Sequence, residues 1–310
     1  MIQHLFKTIA KKIVLCFVSL SVAIASPSTD QKKLKVVSSF SILGDIVKNV
    51  GGDHIDHTSI VGPNGDTHIY EPTPQDGILI SDADLIFVNG LKFETWFDRL
   101  VEASGYKGPV IIASQGIKAH NMVDIQYSNS VVPDPHVWGN VSHVIQWVEN
   151  IKNAFVTHDP DHAKLYEANA KQYTKALTDL HAWIIKQFEG VPPRDCKVIT
   201  AHDAFNYYEL AYGILFLAPQ GISTTDEPSA AEMVDLIQQI KNEGIQTIFV
   251  ENISNQKLIR QLSSETGAKI GGTLYSDALS PAGEPGETYI KMMQSNTRTI
   301  RGALTCSSKK

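Results

Sequence analysis

Cysteine is scarce: 310 residues hold three, Cys16, Cys196 and Cys306. Neither Cys196 nor Cys306 stands in a metal-ligand spacing, so thiolates are excluded from any metal site proposed from this sequence. No surplus of positive charge is present either, the formal net charge being −6. That argues against nucleic acid or an anionic membrane surface as partner. A His-Glu-x-x-His pair is absent, which removes the helix-borne zinc hydrolase signature. There is no low-complexity segment, and no repeat beyond an echo between two halves of the chain.

The apolar run Ile13 to Ala25 is too short to span a bilayer. Lys7, Lys11 and Lys12 precede it and Ala23-Ile24-Ala25 ends it, the pattern of a signal peptide over residues 1–25 cleaved after Ala25. Cys16 raises a lipoprotein alternative, but Ile13-Val14-Leu15 lacks the small residue that such processing needs. The expectation is a soluble periplasmic protein. Losing the three lysines takes the charge from −6 to −9, compatible with a cationic ligand. In an oxidising compartment a disulfide between Cys196 and Cys306 stays open.

In the remaining chain, strand and helix patterns alternate. Leu34 to Phe40, His54 to Val61, Ala83 to Gly90 and Val110 to Ala113 read as strands. Between them, helices are expected over Ile42 to Val50, from Pro74 with Thr73 as N-cap, and over Phe93 to Ala103. Gln115 to Val132 has no periodicity and reads as a surface loop, after which Val141 to Val156 turns helical. Pro160 to Glu189 carries an apolar stripe of Ala163, Tyr166, Ala170, Tyr173, Leu177, Leu180 and Ile184 in steps of three and four, with Asp159 as N-cap and Gly190 as stop. At about 1.5 Å per residue it could run on the order of 45 Å, enough to touch two lobes.

The pattern then repeats. Strands are expected over Lys197 to Ala201, Ile214 to Ala218, Thr247 to Val250 and Lys269 to Leu274. Helices fall over Phe205 to Tyr212, from the Ser229–Glu232 capping box to Gly244, over Gln256 to Thr266 and over Thr288 to Ala303. The fold class is α/β: two lobes, each a parallel β-sheet flanked by helices, joined by one long rigid helix. The division is a lobe at 26–158, a linking helix at 159–190 and a lobe at 191–310.

The stretch Val61-Gly62-Pro63-Asn64-Gly65-Asp66-Thr67-His68-Ile69-Tyr70-Glu71-Pro72-Thr73-Pro74 gathers turn residues around a single imidazole, His68. It resembles the first ligand loop of the cluster A-I (cluster 9) solute-binding proteins of zinc and manganese ABC transporters. Thr67 departs from that pattern, which has a proline before the histidine, and the departure loosens the loop backbone. Three further segments match: Asp134-Pro135-His136-Val137-Trp138, Thr200-Ala201-His202-Asp203-Ala204-Phe205 and Leu274-Tyr275-Ser276-Asp277-Ala278-Leu279. Gly221-Ile222-Ser223-Thr224-Thr225-Asp226-Glu227-Pro228-Ser229-Ala230 is close to another family segment, and the likeness spans essentially the whole mature chain.

The resemblance implies metal ligands His68 and His136 from the first lobe and His202 and Asp277 from the second. The last two follow strands directly, at the carboxyl edge where parallel sheets bind ligands. Three imidazoles and a carboxylate suit a borderline divalent ion, zinc, manganese or cobalt, better than calcium or copper(I). Asp66, Asp134, Asp203 and Glu251 are candidates for orienting the imidazoles. His54, His57, His143, His158, His162 and His181 read as structural or solvated. The long His- and acid-rich loop of many zinc-specific members is reduced here to His120 and Asp124, which leaves the choice of metal open.

The function implied is a periplasmic receptor that captures the ion and hands it to a membrane permease and its ATPase, as a monomer and without catalysis. A metallohydrolase competes, although catalytic zinc normally keeps a position open for water. A metal-stabilised adhesion or interaction protein is the third reading.

Overall fold

Val36 to Phe40 are buried, so β1 (Leu34–Phe40) runs through the interior and must be covered on both faces. The computed structural model describes residues 33–124, 130–191, 197–221, 223–224, 229–254 and 256–304. The expected signal segment and all three cysteines, with their open disulfide, fall outside these residues.

After β1 come α1 (Ser41–Gly51), β2 (Ile55–Val61), α2 (Pro74–Ser81), β3 (Leu85–Val88), α3 (Phe97–Ser104) and β4 (Val110–Ile112). The four strands form a parallel sheet in the order β2-β1-β3-β4. Next, β5 (Asn121–Asp124) pairs antiparallel with β6 (Ser130–Pro133), and α4 (Val141–His158) and α5 (Ala163–Gln187) follow. The second lobe holds β7 (Lys197–Ile199), α6 (Asn206–Tyr212), β8 (Leu215–Leu217), α7 (Ala230–Glu243), β9 (Thr247–Glu251), α8 (Gln256–Thr266), β10 (Lys269–Leu274) and α9 (Tyr289–Ala303). Its sheet is parallel in the order β10-β9-β7-β8. Strand order reverses at β1/β3 in one sheet and at β7/β9 in the other, and such reversals open a crevice at the strands' carboxyl ends.

Local chemistry explains most boundaries. Thr73 and Asp76 form a reciprocal capping box with Pro74 in the first turn of α2, and Ser229 with Glu232 does the same for α7. Three expectations need correction. The segment Gln115 to Val132 is not all loop, because β5 and β6 pair with each other; Val131 stays 66% exposed, so this ribbon leaves no apolar periodicity to read. Helix α3 starts at Phe97 rather than Phe93, since Leu91 and Lys92 are left-handed (φ 56° and 63°) and turn the chain first. Helix α5 is shorter than expected because Pro160–His162 forms a 3-10 turn. There Asp159 accepts from the Tyr166 hydroxyl and pairs with His162 Nδ1 instead of capping the helix.

The α5 stripe is as expected at Tyr166, Ala170, Tyr173, Leu177, Leu180 and Ile184, all buried. At about 1.5 Å per residue the helix spans about 37 Å, lying along α4 and reaching α1 and α9. One apolar core therefore runs through α1, α4, α5 and α9 from the first sheet into the second, with a smaller cluster around Ile248 and Leu262 outside it. Across the lobes, Trp138 Nε1 donates to the Ser276 carbonyl at 2.8 Å, and the Tyr289 hydroxyl donates to the Trp138 carbonyl at 2.7 Å. Hinge opening is restrained by this shared packing.

Candidate metal centre

His68 sits in the loop between β2 and α2. The loop turns at Gly65, whose nitrogen donates to the Gly62 carbonyl at 3.1 Å and where a Cβ would lie 2.6 Å from Val61. Asp66 Oδ1 then accepts from the His68 nitrogen at 2.9 Å, an Asx turn that aims the imidazole inward. Thr67 does not leave the loop slack: it is fully buried, and its carbonyl accepts from Trp96 Nε1 at 2.9 Å. The bond is made by the Thr67 main chain, while its buried hydroxyl has no hydrogen-bond partner. Phe93, presented by the left-handed turn at Leu91 and Lys92, packs its ring edge-on to His68 at 4.9 Å.

His136 follows Pro135, whose carbonyl accepts from Asn89 Nδ2 at 3.0 Å. Asp134 Oδ1 accepts from the His136 nitrogen at 2.9 Å and lies 2.8 Å from its Nδ1. His202 emerges just past β7. Glu251, the last residue of β9, accepts from the Ala201 and His202 nitrogens with Oε1, at 2.6 and 3.0 Å, and Oε2 lies 2.6 Å from His202 Nδ1. Both carboxylates hold a proton on Nδ1, so that each ring in its neutral form turns the Nε2 lone pair to the pocket. A further buried carboxylate, Glu94, accepts from the nitrogens of Asn89 and Gly90 at the strand-order reversal of the first sheet.

The donor atoms of His68, His136, His202 and Asp277 all lie within 4.8 Å of one another, and no other such group is present among the described residues. His68 Nε2 is 3.3 Å from His136 Nε2 and 3.2 Å from Asp277 Oδ2, which is 3.0 Å from His202 Nε2; Asp277 Oδ1 is 3.7 Å from His136 Nε2. Bonds of about 2.0–2.1 Å to a tetrahedral ion put donors about 3.3–3.4 Å apart. The His68–His136 and His68–Asp277 separations lie near that edge length. Asp277 Oδ1 is buried and has no hydrogen-bond partner, an expensive state for a carboxylate unless a cation faces it.

Burial lowers the His68 pKa, with Asp277 only partly offsetting it. For His202 burial acts the same way, but the Glu251 and Asp277 carboxylates overcome it and hold the ring well above its usual value. Burial would raise Asp277, yet the neighbouring His202 and His136 hold its carboxyl well below the usual range. The pocket is thus built around compensated charge.

Of the four acids expected to orient imidazoles, Asp134 and Glu251 do so. Asp66 instead takes the His68 backbone, and Asp203 takes no ring nitrogen; burial beside Asp134 pushes its carboxyl up to about 6. The other histidines stay outside the pocket: His57 bonds Ser38, His143 the Val137 carbonyl, His181 the Tyr212 hydroxyl, and His54 stacks on His162. His120 packs against Tyr207. Phe93, Trp96 and Asn89 were not identifiable from sequence, because aromatic and amide side chains carry no ligand signature.

Two parallel sheets joined by a long helix, with a three-histidine, one-aspartate pocket at their facing edges, define a two-lobed protein with a site able to hold a metal ion. Residues 36–303 match the family described as ZnuA, zinc-uptake complex component A, periplasmic, and the chain belongs to that family. The manganese-binding lipoprotein MntA of Halalkalibacterium halodurans is 34% identical over 277 residues, 89% of this chain and 90% of that protein. The iron-binding protein YfeA of Yersinia pestis is 34% identical over 275 residues, 89% and 88% of the two chains. Among solved structures, the periplasmic zinc binding protein TroA from Treponema pallidum superposes with a TM-score of 0.82 at 29% identity, over 88% of this chain and 99% of that one. The family consists of solute-binding proteins rather than enzymes. No helix among the described residues is long and apolar enough to cross a membrane.

Proposed function

We propose that this protein is an exported solute-binding receptor that holds one divalent transition-metal ion, manganese or zinc, on His68, His136, His202 and Asp277 and delivers it to the permease of an ABC transporter. The observation that carries the reading is the convergence of the four donors on one buried point, with Asp277 Oδ1 otherwise unpartnered. The relatives named for manganese, iron and zinc support a transition metal as cargo. Two ligands come from each side of the linking helix, so the ion favours apposition of the lobes, a state the permease can read. Four protein donors fill a tetrahedron and leave no place for a reactive water, which is why catalysis is not part of the reading. If Asp277 binds through both oxygens, the site becomes five-coordinate, which suits manganese.

The protein acts as a monomer in the periplasm, exported by a signal cleaved after Ala25, with lobes at 26–158 and 191–310 and the linking helix at 159–190. Its membrane partners are a permease and an ATPase, as for relatives named as substrate-binding lipoproteins of metal ABC transporters. Calorimetric titration of chelator-stripped protein with Mn²⁺ and Zn²⁺ tests this. One equivalent of either ion should bind the parent, and His68→Ala should bind much more weakly. No binding by the parent, or equal binding by the variant, overturns the site.

A further inference from the structure

Among the described residues of the segment Gly221 to Ala230, singled out in the sequence, Thr224 reaches the ligand loop of the other lobe. Thr224, between β8 and α7, donates its hydroxyl to Asp66 Oδ2 at 2.6 Å. The same carboxylate takes the His68 backbone nitrogen with Oδ1. Asp66 therefore couples the first ligand to the opposite lobe, one oxygen for each. Carboxylates from their own lobes hold the rings of His136 and His202, whereas the carboxylate beside His68 holds only its main chain.

Exposure shows which ligand guards the pocket. The side chains of His136, His202 and Asp277 are wholly buried, while His68 is 6% exposed and its neighbour Ile69 is 55% exposed. Solvent meets the site on the His68 side. An ion leaving by that route must displace His68, and where the loop backbone moves with it Asp66 is drawn away from Thr224. A hydroxyl-to-carboxylate hydrogen bond is charge-assisted and among the stronger kinds.

Resting on the metal-receptor reading above, we infer that Thr224 is the positioning residue that holds the His68 loop shut from the second lobe and so sets the rate at which bound metal leaves. It touches no ion. The Asn64 contacts to the second lobe, with the Leu279 carbonyl and Asn252, tie down the start of the same loop but do not touch the group that holds His68.

The test is the release of Mn²⁺ from the loaded full chain into excess chelator, by stopped flow, for the parent, Thr224→Val and Thr224→Ser. Thr224→Val, equal in shape but without the hydroxyl, should release the ion about 10-fold faster, the loss expected for one hydrogen bond to a charged group. Its one-to-one stoichiometry and its circular dichroism should match the parent. Thr224→Ser should restore the parental release rate. Release from Thr224→Val at the parental rate overturns the inference, as does equal acceleration in Thr224→Ser. A parent that binds no Mn²⁺ at one equivalent sinks the receptor reading itself, and this is distinguishable because it is seen without any variant.

Discussion

Glu251 grips His202 at two points, accepting from its backbone nitrogen at 3.0 Å with Oε1 while Oε2 lies 2.6 Å from its Nδ1. The first contact fixes where the chain leaves β7. The second fixes the tautomer, leaving Nε2 bare toward Asp277 and the centre of the pocket. Because both contacts come from the end of the adjacent strand, the sheet itself orients the imidazole.

Replacing Glu251 with Gln separates these two roles. The amide oxygen can still accept from the Ala201 and His202 nitrogens, so the strand ends stay in place. Its NH₂ group, facing Nδ1, donates where the carboxylate accepted, which moves the ring proton to Nε2 and removes the lone pair from the pocket. Glu251→Gln should therefore lower metal affinity about 10- to 100-fold, with circular dichroism unchanged. Titration of the variant at parental affinity would show that the tautomer is set elsewhere.

His57, which is not one of the four pocket residues, supplies a pH dependence. Its Nε2 is 2.9 Å from Ser38 Oγ, and burial, with Lys48 nearby, lowers its pKa from 6.5 to about 4. As pH falls below 6.5 the unfolded chain takes up a proton that the folded one refuses. Its stabilising contribution is thus present above 6.5, is lost as pH falls from 6.5 toward 4, and levels off below 4. The ring is partly exposed, so the loss is on the order of 2 kcal/mol. Thermal melts of metal-free protein between pH 7 and 4.5 should show this slope, and His57→Gln should flatten it. Identical slopes for the two would place the sensitivity in other groups.

Most elements were legible because they obey local rules. The capping box at Ser229 and Glu232 reads directly from sequence, and so does the buried stripe from Tyr166 to Ile184. All four pocket donors were legible as well, through turn chemistry, placement at strand ends and family likeness. What escaped depends on long-range contact. The turn at Leu91 and Lys92 is left-handed without a glycine at either position, and Trp96 fastens Thr67 from 29 residues away. Thr224 reaches Asp66 over 158 residues of chain. No periodicity or spacing encodes such pairs, since only the closed fold brings them together.

Removing the metal tests how far the fold depends on it. The apolar core passes from the first sheet through α1, α4, α5 and α9 into the second sheet, and the Trp138–Ser276 and Tyr289–Trp138 hydrogen bonds cross between the lobes without using any of the four donor atoms. Chelator-stripped protein should therefore keep its circular dichroism and melt cooperatively. Adding an ion that binds only the folded state then raises stability by about 4 kcal/mol at a free concentration of about 1,000 Kd, read as a higher melting temperature. Reversible uptake by a folded metal-free protein is the behaviour of a carrier. Loss of the fold on chelation would instead make the ion a structural staple, as in small zinc domains whose binding energy is their folding energy.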